Sequence, residues 1–234
     1  MGAQLAQSVI NRVRPVSLTS DRHLPLPAGL EQLFPGGGLR RGSTVVVASE
    51  GQGAHSLAFS LAAAASAAGS WCAAVGFADL GMVAVAEIGV DLDRLAVVPR
   101  LAPAQWVTVV GALIDSVDTL IARPPPHLRL GDARRLTSRA RERGTVLIPV
   151  ICDRARDRGP WADGADVRLV VAGSRWDGPG AGDGHLRGRR LDVVVGGRGA
   201  AARPRRVEVT LPAGAEAPGA PPSRPLRRVG WLVG

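Results

Sequence analysis

The chain contains no lysine and no tyrosine, and all 29 of its Lys+Arg residues are arginine. Without lysine, no ammonium group can hold the β and γ phosphates of a nucleotide as a phosphate loop does. Cysteine is scarce too. Cys72 and Cys152 stand inside apolar runs that read as strands, so both are expected to be small buried thiols. Histidine is limited to His23, His55, His127 and His185, scattered without the spacing of a metal site. Long apolar runs are missing as well. The longest, Leu57 to Ala68, is about a dozen residues, against the roughly 20 that a membrane helix needs. Met1 to Arg14 lacks the basic start, apolar run and cleavage site of a secretory leader. A cytoplasmic protein without a membrane partner is expected.

What is present is a basic chain able to build a core. Its 234 residues are 46% hydrophobic, enough for one domain. A net charge of +9 favours polyanions or acidic protein surfaces as neighbours.

Residues 1–15 read as a short amphipathic helix, with Leu5, Val9 and Val13 spaced four apart and Pro15 closing it. A polar connector, Val16 to Pro27, precedes a core expected over residues 25–211. There, strand-like and helix-like segments alternate, the pattern of a mostly parallel α/β sheet. Strands are expected at Thr44–Ala48, Trp71–Phe77, Leu95–Val98, Thr119–Ala122 and Thr145–Ile151. The intervening helices are Ala54–Ala68, Leu80–Ile88, Ala104–Ser116 and Arg129–Arg143. Val167–Ala172, Leu191–Val195 and Val207–Leu211 then read as antiparallel strands extending the sheet. Residues 212–234 read as a flexible basic tail rich in proline, glycine and alanine. The tail ends in an apolar peptide with Leu226, Arg227, Arg228, Trp231 and Leu232, a candidate anchor for a protein partner.

The first strand, glycine-bearing loop and helix have the layout of a phosphate loop, whose working pattern is G-x-x-x-x-G-K-[ST]. Over Ala48-Ser49-Glu50-Gly51-Gln52-Gly53-Ala54-His55, only Gly53 keeps its defining identity. Ala48 replaces the first glycine, Ala54 the lysine, and His55 the hydroxyl that ligates magnesium. The aspartate expected after the strand Thr119–Ala122 is Arg123, which cannot hold a metal ion. Glu50 is the remaining acidic candidate, with neither metal nor phosphate to act upon. No catalytic residue, cofactor or metal is therefore expected.

The string Leu30-x-x-Leu33-Phe34-Pro35-Gly36-Gly37-Gly38-Leu39-Arg40-Arg41-Gly42, the loop after it, and Ile88-Gly89-Val90-Asp91-Leu92-Asp93-Arg94-Leu95 resemble the RecA core. With Ser174-Arg175-Trp176 and the all-arginine character, the chain resembles the ImuA-prime family, RecA-like accessory proteins of the actinobacterial SOS mutasome. The resemblance implies a RecA-like core and a non-catalytic role in damage-induced mutagenesis. It also implies an ImuB-like Y-family polymerase homologue as partner, with an error-prone DnaE-type polymerase and the sliding clamp reached indirectly near the nucleoid.

DNA and RecA are further candidate partners. Arg134, Arg135, Arg139, Arg141 and Arg143 share one expected helix and could contact DNA or an acidic protein, although mixed charge also suits a solvated face. Two other functions compete with the adaptor: a residual ATPase or regulator of strand exchange, and a SulA-type inhibitor of cell division.

Overall fold

The computed structural model describes residues 22–49, 51–152, 159–161, 164–178 and 188–212. The candidates Leu5, Val9, Val13 and Glu50, and the end peptide with Leu226, Arg227, Arg228, Trp231 and Leu232, lie outside the described residues.

Four strands are buried along their whole length: β3 (Val45–Ser49), β4 (Cys72–Val75), β6 (Thr119–Ala122) and β7 (Val146–Ile151). Their runs of valine, alanine, leucine and isoleucine lack polar alternation because helices cover both faces, as parallel strands require. With β5 (Leu95–Val98), β8 (Val167–Asp177), β9 (Gly188–Gly197) and β10 (Arg205–Pro212) they form one sheet in the order β10-β9-β8-β3-β7-β6-β4-β5. Pairing is parallel from β5 through β4, β6, β7 and β3 to β8, then antiparallel across β8, β9 and β10. The fold is thus α/β, with a mostly parallel sheet and an antiparallel extension. One expectation needs correction: the first of the three late strands, β8, joins the sheet parallel to β3. Its other neighbour, β9, runs antiparallel to it, and β10 runs antiparallel to β9.

Four helices are described: α1 (Ala54–Ala67), α2 (Met82–Glu87), α3 (Pro103–Ile114) and α4 (Leu130–Arg143). On one face of the sheet, Leu57, Phe59 and Leu61 of α1 pack against Val45, Val47, Ile121 and Ile148. Leu30, Leu33, Phe34 and Leu39 belong to the same cluster, so apolar partners surround α1 and its alanines can be buried all round. On the other face, Trp106, Val110 and Ile114 of α3 and Ala133, Leu136 and Ala140 of α4 meet Val46, Val75, Leu120 and Leu147. Trp161 completes that layer, its indole N–H donating to the Thr137 hydroxyl at 3.1 Å. Each fully buried leucine or isoleucine contributes about 1.5–3 kcal/mol.

The element boundaries expected from sequence shift where local chemistry decides. Trp71 is exposed, so β4 starts only at Cys72; α2 starts after the extended Gly81; and the late strands run longer than their apolar centres. The expected connector contains a strand, β1 (His23–Leu24), paired antiparallel with β2 (Leu39–Arg40). At the end of β2, Arg40 pairs with Asp166 at 3.2 Å, and Arg41, just past it, pairs with Asp118 at 2.7 Å. Asp166 also accepts the Thr44 amide at 2.9 Å, which fixes the approach to β3.

Cys152 corrects a second expectation. It stands one residue beyond β7 and is exposed, whereas Cys72 in β4 is buried. Among the described residues, no helix is long and apolar enough to cross a membrane, and no group of three or more His, Cys, Asp or Glu could hold a metal ion.

Ile148→Ala removes most of a wholly buried side chain between the sheet and α1. It should lower unfolding stability by about 2–5 kcal/mol, read as a reduced urea midpoint with an unchanged slope.

Candidate functional site

The loop between β3 and α1 lies at the carboxyl end of the parallel strands, where α/β sheets place their ligands. Ser49, the last residue of β3, braces it: the Ser49 hydroxyl accepts the Gly51 amide at 3.0 Å and lies 3.3 Å from the Gln52 carbonyl. Gly53 is the N-cap of α1, with φ +112°, a conformation open to glycine and strained for other residues. A Cβ there would stand 3.0 Å from Leu191 Cδ2 and 3.2 Å from Val171 Cγ1. The first two late strands, β8 and β9, therefore close directly over the start of α1.

The structure gives each altered loop position a definite place. Ala48 is buried in the layer facing α3 and α4. Ala54 is 1% exposed and packs into the core around α1, so a methyl group is buried where the phosphate-loop pattern puts a lysine. The exposed His55 meets Phe77 edge-on with ring centroids 5.2 Å apart, and its Nε2 is 3.5 Å from Cys152 Sγ. Arg123 follows β6, its amide donating to the Val75 carbonyl at 2.8 Å and its own carbonyl accepting the Trp106 indole N–H at 3.0 Å. Enclosure by the protein, then the Arg123 charge, lowers the His55 pKa and favours neutral imidazole. Enclosure raises the Cys152 pKa, and Arg123 works against that rise.

The candidate arginines on α4 are largely engaged. Arg135 pairs with Asp132; Arg139 and Arg143 both reach Asp115; and Arg141 lies 3.6 Å from Asp166. Arg139 lowers the Asp115 pKa through its hydrogen bond and charge. Arg134 is exposed and makes no ion pair among the described residues. These groups therefore serve mainly to tie α4 to its surroundings, and they do not converge with the β3–α1 loop.

Sequence reasoning missed Arg189. From β9, Arg189 reaches the start of α1: its Nε donates to the Ser174 hydroxyl at 2.7 Å and its Nη1 to the Ser56 hydroxyl at 3.1 Å. The Trp176 ring lies against it, with the centroid 4.7 Å from the guanidinium carbon. A signal was present. Arg189, Leu191, Val193 and Val195 share one parity of the strand, all are buried, and a charged residue among inward positions is the anomaly to follow.

These elements define a three-layer α/β protein with a phosphate-loop layout in which alanine, histidine and arginine occupy the lysine, hydroxyl and aspartate positions. Residues 32–156 match the model of the MT3502 N-terminal domain family, and the chain belongs to that family. It is also 35% identical over 181 residues to the uncharacterized protein Rv3395c of Mycobacterium tuberculosis (strain ATCC 25618 / H37Rv), across 74% of this chain and 79% of that protein.

Two outcomes follow from the site. Gly53→Ala should destabilise the protein by about 1–3 kcal/mol, measured by chemical denaturation, because it combines a strained φ with a tight contact. In the native protein at pH 8, a thiol reagent should titrate Cys152 alone, at a rate that climbs with pH. Cys72, buried and with its pKa pushed up to about 11 chiefly by that burial, should react only on unfolding.

Proposed function

We propose that this protein is a non-catalytic, RecA-like adaptor of the translesion-synthesis mutasome, of the ImuA-prime type. In this reading it supports damage-induced mutagenesis by binding an ImuB-like Y-family polymerase homologue, and through it an error-prone DnaE-type polymerase and the sliding clamp. The observation that carries the reading is the buried methyl of Ala54 at the start of α1. Here the strand, loop and helix of a phosphate-binding framework persist, while the position that should hold the phosphate lysine is part of the core.

Two further positions agree. His55 offers an imidazole near a thiol, and Arg123 places positive charge where magnesium would need a carboxylate. Removing charge-assisted contacts to a triphosphate costs roughly 1.5–3 kcal/mol each. A fold kept after that loss is best explained by surfaces that bind other macromolecules. The resemblance of the loop, the Leu30–Gly42 string and Ser174-Arg175-Trp176 to ImuA-prime proteins supplies the partner's identity. The sequence of the end peptide, with Trp231 followed by Leu232 and Val233 and with Arg227 and Arg228 shortly before it, supplies a candidate contact.

The full chain should release no phosphate from ATP above background, and magnesium should not change its affinity for ATP. It should co-purify with the ImuB-like protein of the same genome. Deleting Pro225–Gly234 should leave the melting temperature unchanged and abolish that capture. Magnesium-dependent turnover of ATP, or failure of the intact chain to capture the ImuB-like protein, would refute the adaptor.

A further inference from the structure

Arg189 poses an electrostatic problem that the adaptor reading does not use. Its side chain belongs to a residue only 6% exposed, and the guanidinium is held at two of its three nitrogens, by Ser174 and Ser56. The third, Nη2, is buried and has no hydrogen-bond partner among the described residues. Burial lowers its pKa, and no carboxylate among the described residues contributes to that shift. A buried cation without a counter-charge is among the costlier arrangements in a protein, and an orphaned donor on it adds to the cost.

Its position compounds the difficulty. Nη2 is 3.7 Å from the point a Cβ on Gly53 would occupy, so it lies against the N-cap of α1. That helix is 14 residues long, and its glycine N-cap offers no side-chain acceptor to the first-turn amides. The positive end of a helix and a buried guanidinium therefore face the same point. Among the described residues, two positive groups converge here without a carboxylate, the makings of an anion site.

The surroundings indicate which anion. A cleft of about 250 Å³ opens beside the loop, lined by Ser49, Gly51, Gln52, Ser174 and Trp176 among others. A tetrahedral oxyanion has oxygens enough for Nη2 and several backbone amides together, and a fork-shaped guanidinium suits phosphate. Trp176 lies over the guanidinium yet is 46% exposed, so it can swing aside from Nη2 and also offer its flat face to a base.

We propose that Arg189, together with the N-terminus of α1, binds the phosphate group of a nucleotide without metal, with the base placed against Trp176. The arginine supplies from β9 the positive charge that the loop has lost at Ala54. It does so without a magnesium ligand, so the site binds phosphate and does not split a triphosphate. The proposal stands apart from the adaptor role: it concerns phosphate binding, whereas that role is read by partner capture.

The test uses the full chain. Melting temperatures are compared in sodium phosphate, chloride and acetate at equal ionic strength and pH 7. Equilibrium dialysis then measures labelled inorganic phosphate, 5′-dTMP, and a thymidine octamer carrying internal phosphodiesters only. Phosphate should raise the melting temperature above both other salts. Arg189→Gln should erase the rise and weaken phosphate binding at least tenfold. Trp176→Ala should leave inorganic phosphate binding intact while weakening the nucleotide about tenfold. Binding of dTMP without the octamer assigns a free or terminal phosphate; octamer binding as tight as that of dTMP assigns a strand backbone. An equal effect of phosphate, chloride and acetate on the wild-type protein, or undiminished phosphate binding by Arg189→Gln, overturns the proposal. Should Arg189→Gln fail to fold, equilibrium dialysis of labelled phosphate with the wild-type protein decides: saturable binding supports the proposal, and its absence overturns it.

Discussion

Covering both faces of the parallel strands is the constraint on which the rest of this structure depends. A strand such as Val146–Ile151, buried at every residue, has no face it can show to water. That forces helices onto each side, and it forces the crossovers that set the strand order. It also brings the carboxyl ends of β3, β6 and β7 together, which is why Ser49, Arg123 and Cys152 become neighbours of one loop. The candidate site is thus a by-product of how the core is closed.

That constraint explains which parts were legible. Continuous apolar runs flanked by glycine, proline or charge mark the central strands, and their placement needed no tertiary knowledge. The late strands were harder. In β9 the apolar inward positions end at Arg189, so the apolar pattern alone understates the strand, while pairing with β8 and β10 carries it from Gly188 to Gly197. The direction of β8 was illegible for a different reason: whether a strand joins parallel or antiparallel depends on where the preceding chain crosses the sheet. Cys152 reads as part of β7 from its apolar neighbours, yet the strand ends one residue earlier.

The candidate site divides along the same line. The departures of Ala54, His55 and Arg123 from the phosphate-loop pattern are local, and a motif comparison finds them. Arg189 lies more than a hundred residues away in sequence, and its relation to α1 exists only because β9 folds over Gly53. The span matched by the family, residues 32–156, contains the loop and ends before that arginine. Charge on α4 illustrates the converse, since a conspicuous run of arginines turns out to be tied down by Asp115, Asp132 and Asp166.

The outer half of β8 has a consequence for self-association. β3 accompanies β8 only as far as Val171, and among the described residues Gly173–Asp177 pair with β9 alone. A bare strand edge of this kind can template a second chain. Here the register shifts between Val171 and Gly173, and Arg175 and Asp177 follow on the overhang. The kink spoils the flat geometry that stacking strands need, and the charges penalise an apolar neighbour. Asp177 is itself engaged by Arg190 across the ribbon, which holds the overhang to its own partner strand rather than to another molecule's.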